Sequence, residues 1–398
     1  MTQYTVGLYT LGCKVSQYET EAVAEAFERA GFLVLPFDQK CDVYVINTCT
    51  VTAESDRKSR QFVRRAINTN PQAVVMAIGC SVQNSPQLMK NVAGIAYLSG
   101  SHNKMLLPQK ALELLSKKAN NSLQNQENPL ENAETFPIIE ITDIQVAPFE
   151  PMKITRAPRT RGYVKIEDGC ECRCTYCAIP NARGGVRSKL VQDVIDEVKG
   201  LYHAGTKEVV LTGIEIASWG KDLENCHLID LLEALDKEED MPRLRLGSLT
   251  PEVLMPDVIE RLAKLRHLVP HFHLSIQSGC NHILGLMRRR YQTSHVLSAM
   301  QALRERIPDV MFTCDIMVGF PGETDAHQAE TEDFLRKARF LDMHIFIYSR
   351  REGTPAATMP DQVPPAVGHT RSRAIVALSQ AIQGELLSDI IAQGKPLS

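Results

Sequence analysis

The chain has no surplus of positive charge: 44 Lys and Arg stand against 47 Asp and Glu, a formal net charge of −3. That excludes a uniformly basic nucleic-acid coat, so any RNA contact must come from local basic patches. No apolar run reaches the roughly 18 residues that read as a membrane span. The N-terminal Met-Thr-Gln-Tyr-Thr-Val lacks the charged-then-apolar pattern of a secretory signal. A cytoplasmic location without a membrane partner is expected. No short-period repeat is present. Disulfides are rare in such a compartment, yet the 398 residues include 11 cysteines, four of them between 170 and 177. That crowding points to a metal or cluster site.

Short apolar runs bounded by turn residues lie at Tyr4–Thr10, Phe32–Phe37, Val43–Thr48, Ala73–Gly79 and Ala93–Ser99, with helical spacing at Glu19–Ala30 and Glu54–Asn68 between them. This predicts an α/β domain over 1–115, a small doubly wound parallel sheet. Cys13, Cys49 and Cys80 each follow one of these strands, and the carboxyl ends of parallel strands share one rim. Residues 116–152, opening on a stretch rich in Asn, Gln, Ser and Glu, read as a linker. Strand patterns resume at Tyr163–Glu167, Glu208–Thr212, Arg243–Leu249, His271–Gln277, Met311–Val318 and His344–Tyr348. Helical patterns such as Val191–Ala204 and Thr324–Ala338 separate them, and Thr370–Ala392 is a long final one. Six βα units over 153–392 predict a partial or full parallel barrel with its functional rim at the strand C-termini.

The run Asp168-Gly-Cys-Glu-Cys-Arg-Cys-Thr-Tyr-Cys-Ala-Ile-Pro180 follows the first strand of that second domain. Cys170, Cys174 and Cys177 have the spacing C-x3-C-x2-C, and three thiolates can hold three irons of a 4Fe–4S cluster while the fourth stays open. A zinc knuckle is the alternative. Zinc usually takes four closed ligands; no second C-x2-C pair is present, and Cys172 is the available fourth thiol. The lone Cys41, Cys226, Cys280 and Cys314 read as small apolar residues.

The spacing, with Tyr176 before the last cysteine, resembles the signature of the radical S-adenosylmethionine (SAM) superfamily. There the open iron binds SAM, which an electron from the cluster splits to a 5′-deoxyadenosyl radical. Thr10-Leu-Gly-Cys-Lys-Val-Ser-Gln-Tyr-Glu-Thr20, Asn47-Thr-Cys-Thr-Val-Thr52 and Ile78-Gly-Cys-Ser-Val-Gln83 resemble the three cysteine motifs of the methylthiotransferases. So do Leu274-Ser-Ile-Gln-Ser-Gly279, Met287-Arg-Arg-Arg-Tyr291, Asp315-Ile-Met-Val-Gly-Phe-Pro-Gly-Glu-Thr324 and Tyr348-Ser-Arg-Arg-Glu-Gly-Thr-Pro355 in the second domain. The resemblance implies two 4Fe–4S clusters, an auxiliary one on Cys13, Cys49 and Cys80 and a SAM-binding one on Cys170, Cys174 and Cys177. It also implies two SAM molecules per turnover. Gly-Cys-Lys-Val resembles the type acting on N6-threonylcarbamoyladenosine at position 37 of tRNA, where a methylthio group replaces the C2 hydrogen. The competing readings are an isopentenyladenosine-type enzyme, an enzyme acting on a ribosomal-protein aspartate, and a non-catalytic metal scaffold that binds RNA. Besides tRNA, the resemblance implies a flavodoxin-like electron donor and a sulfur source.

Ser16, Ser81-Val82, Ser275-Ile276 and Cys280 depart from the family pattern, but none removes an expected iron ligand. The family usually ends in a small β-barrel RNA-binding module (TRAM). This chain stops at Gly394-Lys-Pro-Leu-Ser398, so that module is expected to be absent. Barrel topology puts Gly213, Ser248, Gln277, Asp315 and Ser349 near strand ends, and so near the cofactor, with Glu215 a further polar candidate. Arg57, Arg60, Arg183, Arg187, Arg288 and Arg289 are the RNA-contact candidates, in patches that can hold phosphates.

Overall fold

A computed structural model describes residues 3–124, 137–157 and 160–394. The chain divides into two compact units. One comprises Met1–Arg156, Tyr163–Glu171 and Ala178–Lys189, the other Ala157–Gly162, Cys172–Cys177 and Leu190–Ser398.

The first unit is built on β1 (Thr5–Thr10), β2 (Leu33–Leu35), β3 (Val43–Thr48), β4 (Val74–Gly79), β5 (Ile95–Ser99) and β6 (Ile138–Glu140), all parallel, in the order β2-β1-β3-β4-β5-β6. β3 and β4 are buried at every residue, as central strands covered on both faces must be. One face packs Tyr44, Ile46, Val75 and Ala77 with Val63 and Ala66 of helix α2 (Ala53–Thr69). The other packs Val43, Val45, Val74 and Met76 with Val23 and Phe27 of helix α1 (Lys14–Arg29). α2 starts where Thr52 accepts a hydrogen bond from the Ser55 amide, an N-cap.

The segment read as a linker, 116–152, contains more structure than its composition suggests. A helix spans Leu107–Gln124, and β6 extends the sheet; the Asn- and Glu-rich residues 125–136 lie outside the described residues. Met152 and Ile154 are buried, the Tyr18 hydroxyl donates to Met152 O at 2.8 Å, and Glu25 accepts from the Thr155 amide at 2.9 Å. These contacts fasten residues 137–156 to α1 of the same unit.

β7 (Arg161–Lys165) is followed by the short antiparallel pair β8 (Glu167–Asp168) and β9 (Arg187–Ser188). The second unit then lays down β10 (Glu208–Thr212), β11 (Arg243–Leu246), β12 (Ser248–Leu249), β13 (His271–Gln277), β14 (Met311–Val318) and β15 (Asp342–Ile347). Within it β10 pairs with β11, and a four-stranded sheet runs in the order β12-β13-β14-β15, with every assigned pairing among β10–β15 parallel. β11 and β12 belong to different sheets and are separated by the single residue Gly247. In β14 every second residue is buried: Phe312, Cys314, Ile316 and Val318 face the hydrophobic interior, and Thr313, Asp315 and Met317 the other side. The helix Pro365–Ala392 is the one described helix long and apolar enough, by length and composition, to cross a membrane, a property that the search for unbroken apolar runs misses. It buries Gly368, Arg371, Ile375, Ser379 and Ile382, and Arg371 pairs with Glu323 and Asp325 at 2.8 Å each. Residues 395–398, on which the expectation about the chain end rests, lie outside the described residues.

Candidate cysteine sites

In the first unit Cys13 follows β1, Cys49 follows β3 and Cys80 follows β4, so all three stand on the C-terminal rim of one parallel sheet. Two glycines bring them together. Gly12 has φ +119° and Gly79 φ +100°, values that L side chains rarely adopt. A Cβ on Gly12 would lie 3.1 Å from Cys49 Cβ and 3.2 Å from its Sγ; one on Gly79 would lie 2.5 Å from Asn47 Oδ1. Burial pushes the Cys49 thiol up to about 11, opposed by the Val51 amide and reinforced by the neighbouring Cys80 and Cys13. The three sulfurs therefore sense one another. Cys13 is exposed and lies 3.8 Å from Ser16 Oγ, while Cys49 and Cys80 are buried.

Beneath Cys80 is a buried charge network. Arg183 donates from Nε to Cys80 Sγ at 3.1 Å and from its two terminal nitrogens to Glu19 at 2.5 and 3.0 Å. Lys165 bridges Glu19 and Asp168 at 3.0 and 3.1 Å, and Lys104 pairs with Glu19 at 3.3 Å. Against burial, Arg183, Lys104 and Lys165 hold the Glu19 carboxyl well below its ordinary range. Asp168, also opposed by burial, is brought to about 2 by Arg183 and Lys165. Three cations meet two carboxylates, and one positive charge is left for the Cys80 sulfur. Arg187 and Glu150 add one nearby charge of each sign.

Cys170 also belongs to this unit. Its amide donates to Gly184 O at 3.0 Å. Gly169 before it has φ +92°, and a Cβ there would lie 1.8 Å from Gly185 O, so the turn into the cysteine run requires glycine.

In the second unit Cys174 is buried, with its Sγ accepting from Arg289 Nη1 at 3.4 Å. Thr175 is fixed at three points: its amide to Met287 O at 3.2 Å, its hydroxyl to Leu286 O at 2.9 Å, and its carbonyl to the Ala356 amide at 2.9 Å. The Cys177 amide closes the turn onto Cys174 O at 3.1 Å. Tyr176 packs edge-on to Phe320, ring centroids 6.5 Å apart, and its burial holds the phenol neutral. Glu215, buried, accepts from Thr250 Oγ1 at 3.3 Å. Burial and then the Cys172 thiol push its carboxyl up to about 7, opposed by Arg289. Cys172, which the sequence left as a spare thiol, thus lies within electrostatic reach of both Cys174 and Glu215.

Gly213 directly follows β10, Ser248 opens β12, Gln277 ends β13 and Ser349 follows β15. Gln277 has φ +68°, beside a register shift between Leu274 and Gln277, a strained position of the kind that clusters at functional sites. Asp315 is not at a strand end. It sits in the middle of β14, between His273 and His344 at 3.2 and 3.4 Å. Three of the RNA-contact candidates are already engaged inside the protein. Arg183 is fully buried in the charge network. Arg187 is spent on the Ile144, Ala147 and Arg183 carbonyls. Arg289 is held by Cys174, Ser275 O and the Tyr291 hydroxyl. Arg57, Arg60 and Arg288 remain partly or fully exposed, Arg57 pairing with Glu54 at 2.6 Å.

Both cysteine sets fit an iron–sulfur cluster on chemistry. They are soft thiolate donors, with a guanidinium donating to one sulfur of each, Arg183 fully buried and Arg289 partly so, the kind of contact that tunes a cluster.

Comparison with known proteins agrees. Residues 164–335 match the radical SAM superfamily and 5–100 an uncharacterised family, UPF0004. The chain is 39% identical over 387 residues to the threonylcarbamoyladenosine tRNA methylthiotransferase MtaB of Bacillus subtilis, covering 96% of this chain and 82% of that one. It is 32% identical over 409 residues to the tRNA-2-methylthio-N(6)-dimethylallyladenosine synthase of Carboxydothermus hydrogenoformans, covering 99% and 89%. In fold it resembles the radical SAM methyltransferase TsrM of Kitasatospora setae, with TM-score 0.62, 17% identity and coverage of 89% and 77%. The chain belongs to the radical SAM methylthiotransferase family, enzymes that use SAM and 4Fe–4S clusters to transfer a methylthio group.

Proposed function

We propose that this enzyme replaces the C2 hydrogen of N6-threonylcarbamoyladenosine at position 37 of tRNA with a methylthio group. The observation that carries the reading is the 39% identity, across 96% of the chain, to a relative named for that substrate. Cys13, Cys49 and Cys80 would hold an auxiliary 4Fe–4S cluster, and Cys170, Cys174 and Cys177 the SAM-binding one. Bound there, the clusters and two SAM molecules would supply the sulfur, the methyl group and the one-electron chemistry that an inert C2–H bond demands.

The protein's own part is positional and electrostatic. Arg183 and Arg289 fix one sulfur each and offset its negative charge. The bonds on Thr175 hold the cysteine turn rigid, as a site of this kind requires. Glu215, with a carboxyl near 7, can hold or release a proton at neutral pH. Gly213, Ser248 and Gln277 are the candidate SAM contacts, with Tyr176 against the cysteine turn. Arg57, Arg60 and Arg288 are the candidate phosphate contacts. A flavodoxin-like electron donor, a sulfur source and a cytoplasmic location go with this reading.

The test is nucleoside mass spectrometry of tRNA from a host that makes N6-threonylcarbamoyladenosine but lacks its methylthiotransferase. Expression of this chain should produce the 2-methylthio derivative. Its absence, with ribosomal protein or isopentenyladenosine modified instead, would overturn the substrate.

A further inference from the structure

Three adjacent strands of the second unit bring two imidazoles and a carboxylate to one spot. Asp315 of β14 pairs in register with His344 of β15, and Thr313, two residues earlier on the same face, with His273 of β13. His273 Nε2 lies 3.2 Å from Asp315 Oδ2, and His344 Nδ1 lies 3.4 Å from Asp315 Oδ1. All three ligand atoms fall within 4.8 Å of one another. We propose that His273, Asp315 and His344 bind one divalent transition-metal ion, with zinc(II) the best fit.

The donor set argues for that class. Two neutral imidazoles and one carboxylate suit zinc and its neighbours, whereas magnesium and calcium favour all-oxygen sites. The spacing also fits. Zinc–nitrogen and zinc–oxygen bonds of about 2.0–2.2 Å put neighbouring ligand atoms roughly 3–3.5 Å apart. His344, whose side chain is 56% exposed, has room to adjust toward that spacing. The outer contacts are those a ligating histidine needs. Thr313 Oγ1 lies 2.8 Å from His273 Nδ1, which orients the ring with Nε2 toward the site. Thr313 is itself 3.1 Å from His271 Nε2. The three ligands stand on hydrogen-bonded strands, so little ordering is left for the metal to impose. Asp315 and His273 are mostly buried and His344 is half open, which leaves room on one side for a fourth, oxygen-bearing ligand. The inference stands apart from the cysteine sites and from the choice of tRNA substrate.

The experiment uses the full chain with its iron–sulfur clusters reconstituted, so that the cluster cysteines are occupied. After dialysis against micromolar zinc(II), zinc per chain is measured by mass spectrometry in the wild type, His344→Ala and Asp315→Asn, with circular dichroism to check the fold. Wild type should retain one more zinc per chain than either variant. Zinc X-ray absorption on the wild type, which needs no variant, should show a nitrogen and oxygen shell without sulfur. Equal zinc in wild type and folded variants, no retained zinc at all, or a sulfur-containing shell would each overturn the proposal and leave a hydrogen-bonded polar chain.

Discussion

Each unit places one arginine against one cysteine sulfur, but in different surroundings. Arg183 reaches Cys80 from within a set of charges: Glu19, Asp168, Lys165 and Lys104 are all buried with it. Arg289 reaches Cys174 while hydrogen-bonded to neutral groups, the Ser275 carbonyl and the hydroxyl of Tyr291, whose ring centroid is 5.4 Å away, with Glu215 within electrostatic reach. The first arrangement makes the sulfur contact part of the fold's own electrostatic balance. The second keeps it nearly separable from stability.

The largest expected effect follows from that difference. Arg183→Gln strips Glu19 and Asp168 of the guanidinium that both pair with in a dry interior, leaving the two lysines. Breaking such a buried network costs about 3–5 kcal/mol. Arg289→Gln removes hydrogen bonds to a carbonyl, a hydroxyl and a sulfur, for about 1–3 kcal/mol. Denaturant unfolding of the two cluster-free variants checks the order. Equal losses would erase the contrast between the units.

Next come the cysteines. Alanine at Cys13, Cys49 or Cys80 should cut iron from about eight to about four per chain while the SAM-dependent cluster signal persists. Alanine at Cys170, Cys174 or Cys177 should do the reverse, abolishing 5′-deoxyadenosine formation. Iron and sulfide analysis with electron paramagnetic resonance separates the cases. A cysteine whose loss leaves both clusters intact is not a ligand.

The two units also differ in how they answer to pH. In the first, the Asp168 and Glu19 carboxyls are depressed, so the stability they add is complete at neutral pH. It is lost only as the pH falls from the ordinary carboxylate range toward about 2. In the second, Glu215 is raised from about 4.5 to about 7. The folded state then holds a proton that the unfolded chain has released, so stability falls as pH rises through that window and levels off above it. The drop should be about 3 kcal/mol, and Glu215→Gln should flatten it in an unfolding series from pH 4.5 to 8.

The sequence was clear where strands are buried on both faces. Residues 43–46 and 74–78 are apolar runs without a break, and both lie in strands followed directly by a cysteine. It was opaque for β6, a three-residue strand preceded by a proline, which is a strand only because β5 offers it an edge. It was opaque too for the charge network. Lys165 and Arg183 look like surface cations until Glu19, 146 and 164 residues away, comes to meet them. Charge runs were read as RNA patches for the same reason: a local window counts charges but cannot see which are already paired. His273, Asp315 and His344 are scattered over three strands, and only the register of a parallel sheet brings them together.

The smallest effect is the one that isolates RNA contact from folding. Arg57 projects from α2 and, among the described residues, pairs with Glu54, one turn away and also exposed, so its removal should leave unfolding unchanged. If it holds a phosphate, Arg57→Ala should weaken tRNA binding uniformly across sequences and make the salt dependence shallower by about one unit of slope. Arg288, exposed on the second unit, offers the matched measurement. A shallower slope for both would mean that each unit contributes to the RNA footprint. A change for Arg57 alone would assign the phosphate grip to the unit that carries Cys13, Cys49 and Cys80. An unchanged slope for both would remove these two side chains from the footprint and direct the search to the remaining exposed arginines of α2, Arg64 and Arg65.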